Sequence, residues 1–290
     1  MTAVQHRYAT VDGRQLFYRE AGPSDAPAVV LLHGFPASSF MFRELIPRLA
    51  DRYHVIAPDH LGFGLSDAPP AGEFSYSFDA LADLTAGLLA QLGVTRYAIY
   101  VQDYGAPVGW RLALADPDAV TAVITQNGNG YEAGLVEEFW KPMRAYWADR
   151  NADTEAGMRQ AFTLEAIQRQ YLQGVPDPGL VSPDGWLHDY VQLSRPGNDQ
   201  IQLALFADYA TNLPLYPKLH DWLRDRQIPV LAVWGRNDEI FGPAGALAFA
   251  DNSADTEIHL LNGAHFLLES HLDDVTALIR PFLERTAGGR

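Results

Sequence analysis

The chain has 290 residues, 48% of them hydrophobic, and a formal net charge of -15. That length supports a large core, and the charge excludes a nucleic-acid or anionic-membrane partner, because phosphate would be repelled rather than neutralised. With no cysteine, disulfides, thiolate nucleophiles and cysteine-held zinc are excluded together, and a reducing compartment is the expected setting.

The amino-terminal stretch has no apolar run of signal-peptide length, and no segment approaches the roughly 18 apolar residues of a membrane span, so a cytoplasmic protein is expected. A strand ending near Val11, the turn Asp12-Gly13 and a second strand over 15–19 read as a β-hairpin. Residues 28–32 form a continuous apolar run closed by His33-Gly34-Phe35-Pro36, the pattern of a strand buried on both faces. A helix is expected over 39–50, then a strand over 54–57, a loop to Ser66 and a helix over 78–92. A strand over 97–101, a helix over 104–115 and a strand over 120–125 follow. This alternation predicts an α/β fold, a mostly parallel sheet with helices on both faces, whose ligand site lies at the carboxyl ends of the strands. The segment 33–36, Asp59 and Asp103 all fall at such ends.

After Gln126-Asn127-Gly128-Asn129-Gly130 the rhythm changes. Residues 131–221 carry helical patches, many aromatics and Pro/Gly punctuation, but no buried-strand pattern, and read as a helical insertion. Strands resume over 228–234 and 257–261, with a helix over 244–250 between them and a final amphipathic helix over 266–283.

The chemistry-bearing positions lie at strand ends. Asp103 sits at the apex of a strand-turn-helix, Val101-Gln102-Asp103-Tyr104-Gly105, with the backbone N–H groups of the new helix behind it. Asp238 follows the strand ending at Trp234, and His265 stands in the short loop after the last strand. The three occur in the chain order nucleophile, acid, histidine. Glu132 and Asn129, after the strand over 120–125, are alternatives for the acid.

Together, the His33-Gly34-Phe35-Pro36 loop, the Asp103 turn, Asp238 and Gly263-Ala264-His265-Phe266 resemble the α/β-hydrolase fold family over nearly the whole chain. Within it they resemble the branch with an aspartate nucleophile, the epoxide hydrolases and haloalkane dehalogenases. Val101 departs from the pattern, since many such turns have glycine there.

The resemblance implies a core domain of residues 1–130 and 222–290 with a helical cap domain of 131–221. It implies Asp103 as nucleophile, His265 as general base, Asp238 as the acid that orients it, and an oxyanion hole from the Phe35 and Tyr104 N–H groups. An aspartate nucleophile suits an electrophilic sp³ carbon, because attack there gives an ordinary ester rather than a mixed anhydride. Neither a metal nor an organic cofactor is implied. The expected partner is a small, mostly apolar neutral substrate, and the chain a monomer or homodimer.

The two branches differ in their leaving-group donors. In dehalogenases of this kind a tryptophan follows the nucleophile, partnered by an asparagine in the H-G-x-P loop or a tryptophan in the cap. Here those first two positions are Tyr104 and Phe35, leaving Trp140, Trp147 and Trp186 as candidate donors. Epoxide hydrolases use cap tyrosines, and Tyr171 and Tyr209 resemble their placements. Phe35, Tyr104, Trp140 and Trp147 are expected to contact substrate, with Phe139, Phe162, Trp186 and Phe206 as further pocket aromatics. A fluoroacetate-type activity is disfavoured because Tyr104, not arginine, follows Asp103. An epoxide hydrolase is the leading expectation, a haloalkane dehalogenase the second, and a non-catalytic binding protein on this fold the third.

Overall fold

The alternating apolar runs assemble into one sheet in the computed structural model, which describes residues 3–287. Its strands are β1 (Gln5–Val11), β2 (Arg14–Ala21), β3 (Ala28–Leu32), β4 (His54–Pro58), β5 (Tyr97–Val101), β6 (Val120–Thr125), β7 (Val230–Gly235) and β8 (Thr256–Leu261). The order is β1-β2-β4-β3-β5-β6-β7-β8. β1 and β2 form the expected hairpin, and both Asp12 and Gly13 take the positive φ that a two-residue turn needs. β2 joins β4 antiparallel, and every pairing from β4 to β8 is parallel.

The chain leaves β3 toward β4 on one side and returns to β5 on the other, so the strand order reverses between β3 and β5. Phe35 and Asp103 follow those two strands. A crevice outside the carboxyl ends of diverging strands is where such sheets bind ligands. All residues of β5 and β7 are buried, which is why these strands read as apolar runs without alternation.

Two expected helices are broken. The segment 39–50 is a 3₁₀ turn, Ser39–Phe42, followed by a short helix, Ile46–Leu49, whose Pro47 occupies its first turn, where no N–H is needed. The terminal helix splits at His271 into Leu267–Ser270 and Leu272–Ala287, because His271 leaves the helical region at φ -133, ψ 31.

Between Gly130 and Val230 the described residues contain helices and no strand; a single bridge joins Leu135 to Phe241. Position 221 lies inside the helix Tyr216–Arg226, which packs on the helix Gly105–Ala115 and ties to the sheet side of the molecule through Trp222 Nε1, a donor to the Pro117 carbonyl. Among the described residues no helix is long and apolar enough to cross a membrane.

Candidate active site

The turn after β5 forces Asp103 into the left-handed region at φ +47, where a non-glycine residue is strained. Glycines let the surrounding chain close on it. A Cβ on Gly105 would stand 2.0 Å from the Leu32 carbonyl oxygen, and one on Gly34 would stand 2.2 Å from the Asp103 Cβ. Val101 is accommodated because its two methyls lie over glycines: a Cβ on Gly109 would be 2.7 Å from Cγ1, and one on Gly128 3.0 Å from Cγ2.

Asp103 Oδ1 accepts the Phe35 N–H at 2.7 Å. Burial pushes this carboxyl up to about 6, although the His265 charge and the Phe35 and Tyr104 N–H groups all favour its ionised form.

His265 Nδ1 donates to Asp238 Oδ2 at 2.8 Å, which leaves Nε2 as the unprotonated, basic nitrogen, and the Gln102 amide nitrogen donates to it at 2.8 Å. Burial opposes protonation of the imidazole most strongly. The charge and hydrogen bond of Asp238, with the charge of Asp103, outweigh it and hold His265 above its ordinary value. Asp238 is fixed in turn: the Ile240 N–H donates to Oδ1 at 2.8 Å, and Asn127 Nδ2 donates to Oδ2 at 2.8 Å. Glu132 is exposed and Asn129 donates to the Tyr131 carbonyl, so neither alternative acid faces the imidazole.

Asn127 and Gln126, in the segment that ends the strand-helix alternation, hold this arrangement together. Asn127 sits at φ +49 and also accepts the Gly235 N–H at 2.9 Å, locking the end of β6 to the end of β7. Gln126 Nε2 donates to the His265 carbonyl at 2.7 Å. The Asn-Gly pair was the available signal, since asparagine tolerates the left-handed region.

Asp103, His265 and Asp238 open onto one cavity of about 690 Å³ beneath the inserted helices. Phe35, Tyr104, Trp140, Phe139, Phe206 and Tyr209 line it, while Arg169 and Gln173 at its mouth reach Glu239 at 3.2 and 2.9 Å. Trp147, Phe162 and Trp186 are not among its lining residues.

The placement of hydrogen-bond donors corrects two expectations. Trp147 is not at the cavity wall, because its indole N–H is turned to the Phe206 carbonyl at 2.8 Å. Tyr171 does not reach the cavity either: its hydroxyl donates to the buried Asp189 at 2.5 Å. Trp140 faces the cavity with its ring while its N–H is spent on the Ile240 carbonyl at 2.9 Å. By contrast, the Tyr104 and Tyr209 hydroxyls are buried with no hydrogen-bond partner among the described residues. Burial, then the neighbouring Tyr216, push the Tyr209 pKa well above its ordinary value; the approach of Tyr216 lacks hydrogen-bond geometry at that hydroxyl.

A family profile described as the alpha/beta hydrolase fold matches residues 27–272. An uncharacterized hydrolase of Saccharomyces cerevisiae is 43% identical over 270 residues, 92% of each chain. Haloalkane dehalogenase 2 of Mycobacterium bovis is 39% identical over 260 residues, covering 87% of this chain and 86% of the dehalogenase. The crystal structure of epoxide hydrolase A from Mycobacterium thermoresistibile superposes with a TM-score of 0.76 at 24% identity, covering 97% of this chain and 98% of that one.

Proposed function

The chain belongs to the α/β-hydrolase fold family and is a hydrolase of that type, and within the family we propose that it is an epoxide hydrolase, with residues 131–221 acting as a cap domain. The observation that carries this reading is the distribution of unspent donors around Asp103. A halide leaving group needs N–H donors, and among the described residues the one indole at the cavity wall, Trp140, has given its N–H to a backbone carbonyl. An epoxide oxygen leaves as an alkoxide and needs an O–H group free to donate to it. Two such hydroxyls, Tyr209 and Tyr104, are buried without partners beside the nucleophile.

In this reading Asp103 Oδ1 stays in the Phe35 and Tyr104 N–H hole while Oδ2 attacks a ring carbon. The ring C–O bond breaks, and its oxygen takes a proton from Tyr209, leaving a hydroxyalkyl ester on Asp103. A water then gives a proton to His265 Nε2 as its oxygen adds to the Asp103 carbonyl carbon, and the hole holds the resulting oxyanion. Collapse expels the diol oxygen as an alkoxide, which takes the second proton of the attacking water from the re-formed Asp103 carboxyl, while the first proton passes from His265 to the Tyr209 phenolate. Asp238 keeps the imidazole in the tautomer that makes Nε2 the base.

The second reading is hydrolytic dehalogenation with the same three residues, favoured by the 39% identity to haloalkane dehalogenase 2. Parallel incubation with styrene oxide and 1-bromobutane separates the two. Diol without bromide is expected; bromide without diol overturns the proposal in favour of the second reading. A single turnover in oxygen-18 water should place label in the Asp103 peptide, and label going directly into diol would rule out the ester.

A further inference from the structure

Tyr171 lies one layer behind the base. Its ring stacks on Phe266, with centroids 4.1 Å apart and planes 11° from parallel, and Phe266 meets the His265 imidazole edge-on at 4.9 Å. Its hydroxyl donates to Asp189 Oδ2. The other Asp189 oxygen faces His188 Nδ1 at 3.3 Å, and the His188 ring stacks on Phe40 at 4.2 Å. The Arg43 guanidinium covers the Phe40 ring at 4.5 Å and grips Glu269 with two bonds of 2.8 Å. Glu269 is in the short helix that follows His265. The contacts thus leave the His265 loop, pass through the inserted helices, and return to the segment they started from.

A carboxylate as buried as Asp189, 2% exposed, is costly to keep. Burial pushes it up to about 6, even with His188 and Tyr171 favouring its charged form. Leucine would fill such a site at less cost, but would not hold a tyrosine hydroxyl. What the carboxylate does is fix the rotation and depth of the Tyr171 ring, and that ring is the surface against which Phe266 rests.

We infer that Tyr171 and Asp189 are a positioning pair, through which the cap holds Phe266 and keeps His265 Nε2 aimed at the ester carbonyl of Asp103. The inference rests on the two-step reading above and assigns the pair to its second step. Nucleophilic attack by Asp103 does not use His265 as a base, so formation of the ester is independent of the pair. Hydrolysis of the ester depends on the direction of Nε2, and a small misplacement of a base slows proton transfer strongly.

The experiment is a quenched single turnover of styrene oxide, and in parallel of 1-bromobutane, with the covalent adduct followed by mass spectrometry. Tyr171→Phe is expected to form the adduct at the wild-type rate and to lose it about tenfold more slowly. Asp189→Asn, which still accepts from the hydroxyl, is expected to stay within about twofold of wild type, and Asp189→Leu to behave like Tyr171→Phe. Should Asp189→Leu not fold, the conservative Tyr171→Phe decides alone. Slower adduct formation in Tyr171→Phe would put the hydroxyl on the substrate and overturn the inference, as would equal slowing of both steps or no change in either. A wild-type protein that forms no adduct with either compound removes the two-step reading itself, and the inference with it.

Discussion

Asn127 Nδ2 donates to the same Asp238 oxygen that receives His265 Nδ1, each at 2.8 Å. Without Asn127 that carboxylate oxygen has one donor fewer and the β6 and β7 ends lose a shared lock. A hydrogen bond to a buried charge contributes about 1.5–3 kcal/mol, so Asn127→Leu is expected to slow ester hydrolysis by roughly 10- to 100-fold. Ester formation should change little. Stopped single turnovers measure both, and an unchanged hydrolysis rate would show that Asn127 only closes a turn.

Donor placement makes its own prediction. Tyr209 is expected to protonate the opening ring, so Tyr209→Phe should slow ester formation from styrene oxide by at least about 10²-fold and leave hydrolysis of the formed ester near wild type. Tyr104→Phe tests the second unpartnered hydroxyl in the same assay. A Tyr209→Phe variant with undiminished ester formation would transfer the donor role to Tyr104 or remove it from tyrosine altogether.

The pH dependence follows from the two titrating partners. Asp103 stands at about 6 through burial, so ester formation should fall about tenfold per pH unit below that value as the nucleophile is protonated. His265 is held above its ordinary value partly by the Asp103 charge, and that charge vanishes when Asp103 becomes an ester. The base should therefore titrate at lower pH in the intermediate than in the free enzyme. Imidazole titration by NMR gives the free value and the pH profile of adduct decay gives the other; a decay midpoint at or above the free value contradicts this coupling.

The runs Ala28–Leu32, Tyr97–Val101 and Val120–Thr125 are legible in the sequence at their observed bounds, because parallel strands buried on both faces are apolar at most positions. The Asp103, Asp238 and His265 positions are legible for a related reason: strand ends mark one side of the sheet, and chain order does the rest. The supporting polar residues are not. Asn127 meets a carboxylate 111 residues away, and nothing in its own Asn-Gly context says which. Tyr171 and Trp147 show the same limit. Their bulk predicts burial, but the direction of a hydroxyl or an indole N–H is decided by whichever acceptor the tertiary fold brings nearest, here Asp189 and the Phe206 carbonyl.

The raised Asp103 pKa is also a statement about stability. A carboxyl lifted from 3.8 to about 6 on folding favours the fold while protonated, below its unfolded pKa, and that contribution is lost as pH rises through about 6. Above pH 6 the ionised nucleophile therefore costs the native state about 3 kcal/mol at most, at about 1.4 kcal/mol per pH unit. Asp103→Asn keeps an acceptor for the Phe35 N–H and carries no charge. It is expected to abolish turnover and to be about 1–3 kcal/mol more stable than wild type at pH 8, with the difference fading toward pH 4. Urea denaturation at both values checks it; a variant less stable at pH 8 would mean that the lost charge interaction with His265 outweighs the burial cost.

Val101 offers the last test, of how a bulky residue fits the elbow. Alanine at position 109 gains roughly 1 kcal/mol of helix propensity over glycine. Its Cβ would stand 2.7 Å from Val101 Cγ1 and 3.1 Å from Ile99 Cδ1, an overpacking that costs about 1–3 kcal/mol. Gly109→Ala should therefore destabilise the protein when Val101 is present. In a Val101→Ala background the nearest clash is gone, and the same substitution should become neutral or stabilising. The coupling between the two changes is expected to reach about 1–2 kcal/mol in a double-mutant cycle, as for residues in direct contact. Additive effects would mean that the elbow absorbs Val101 by shifting β5, and that Gly109 is not what makes room for it.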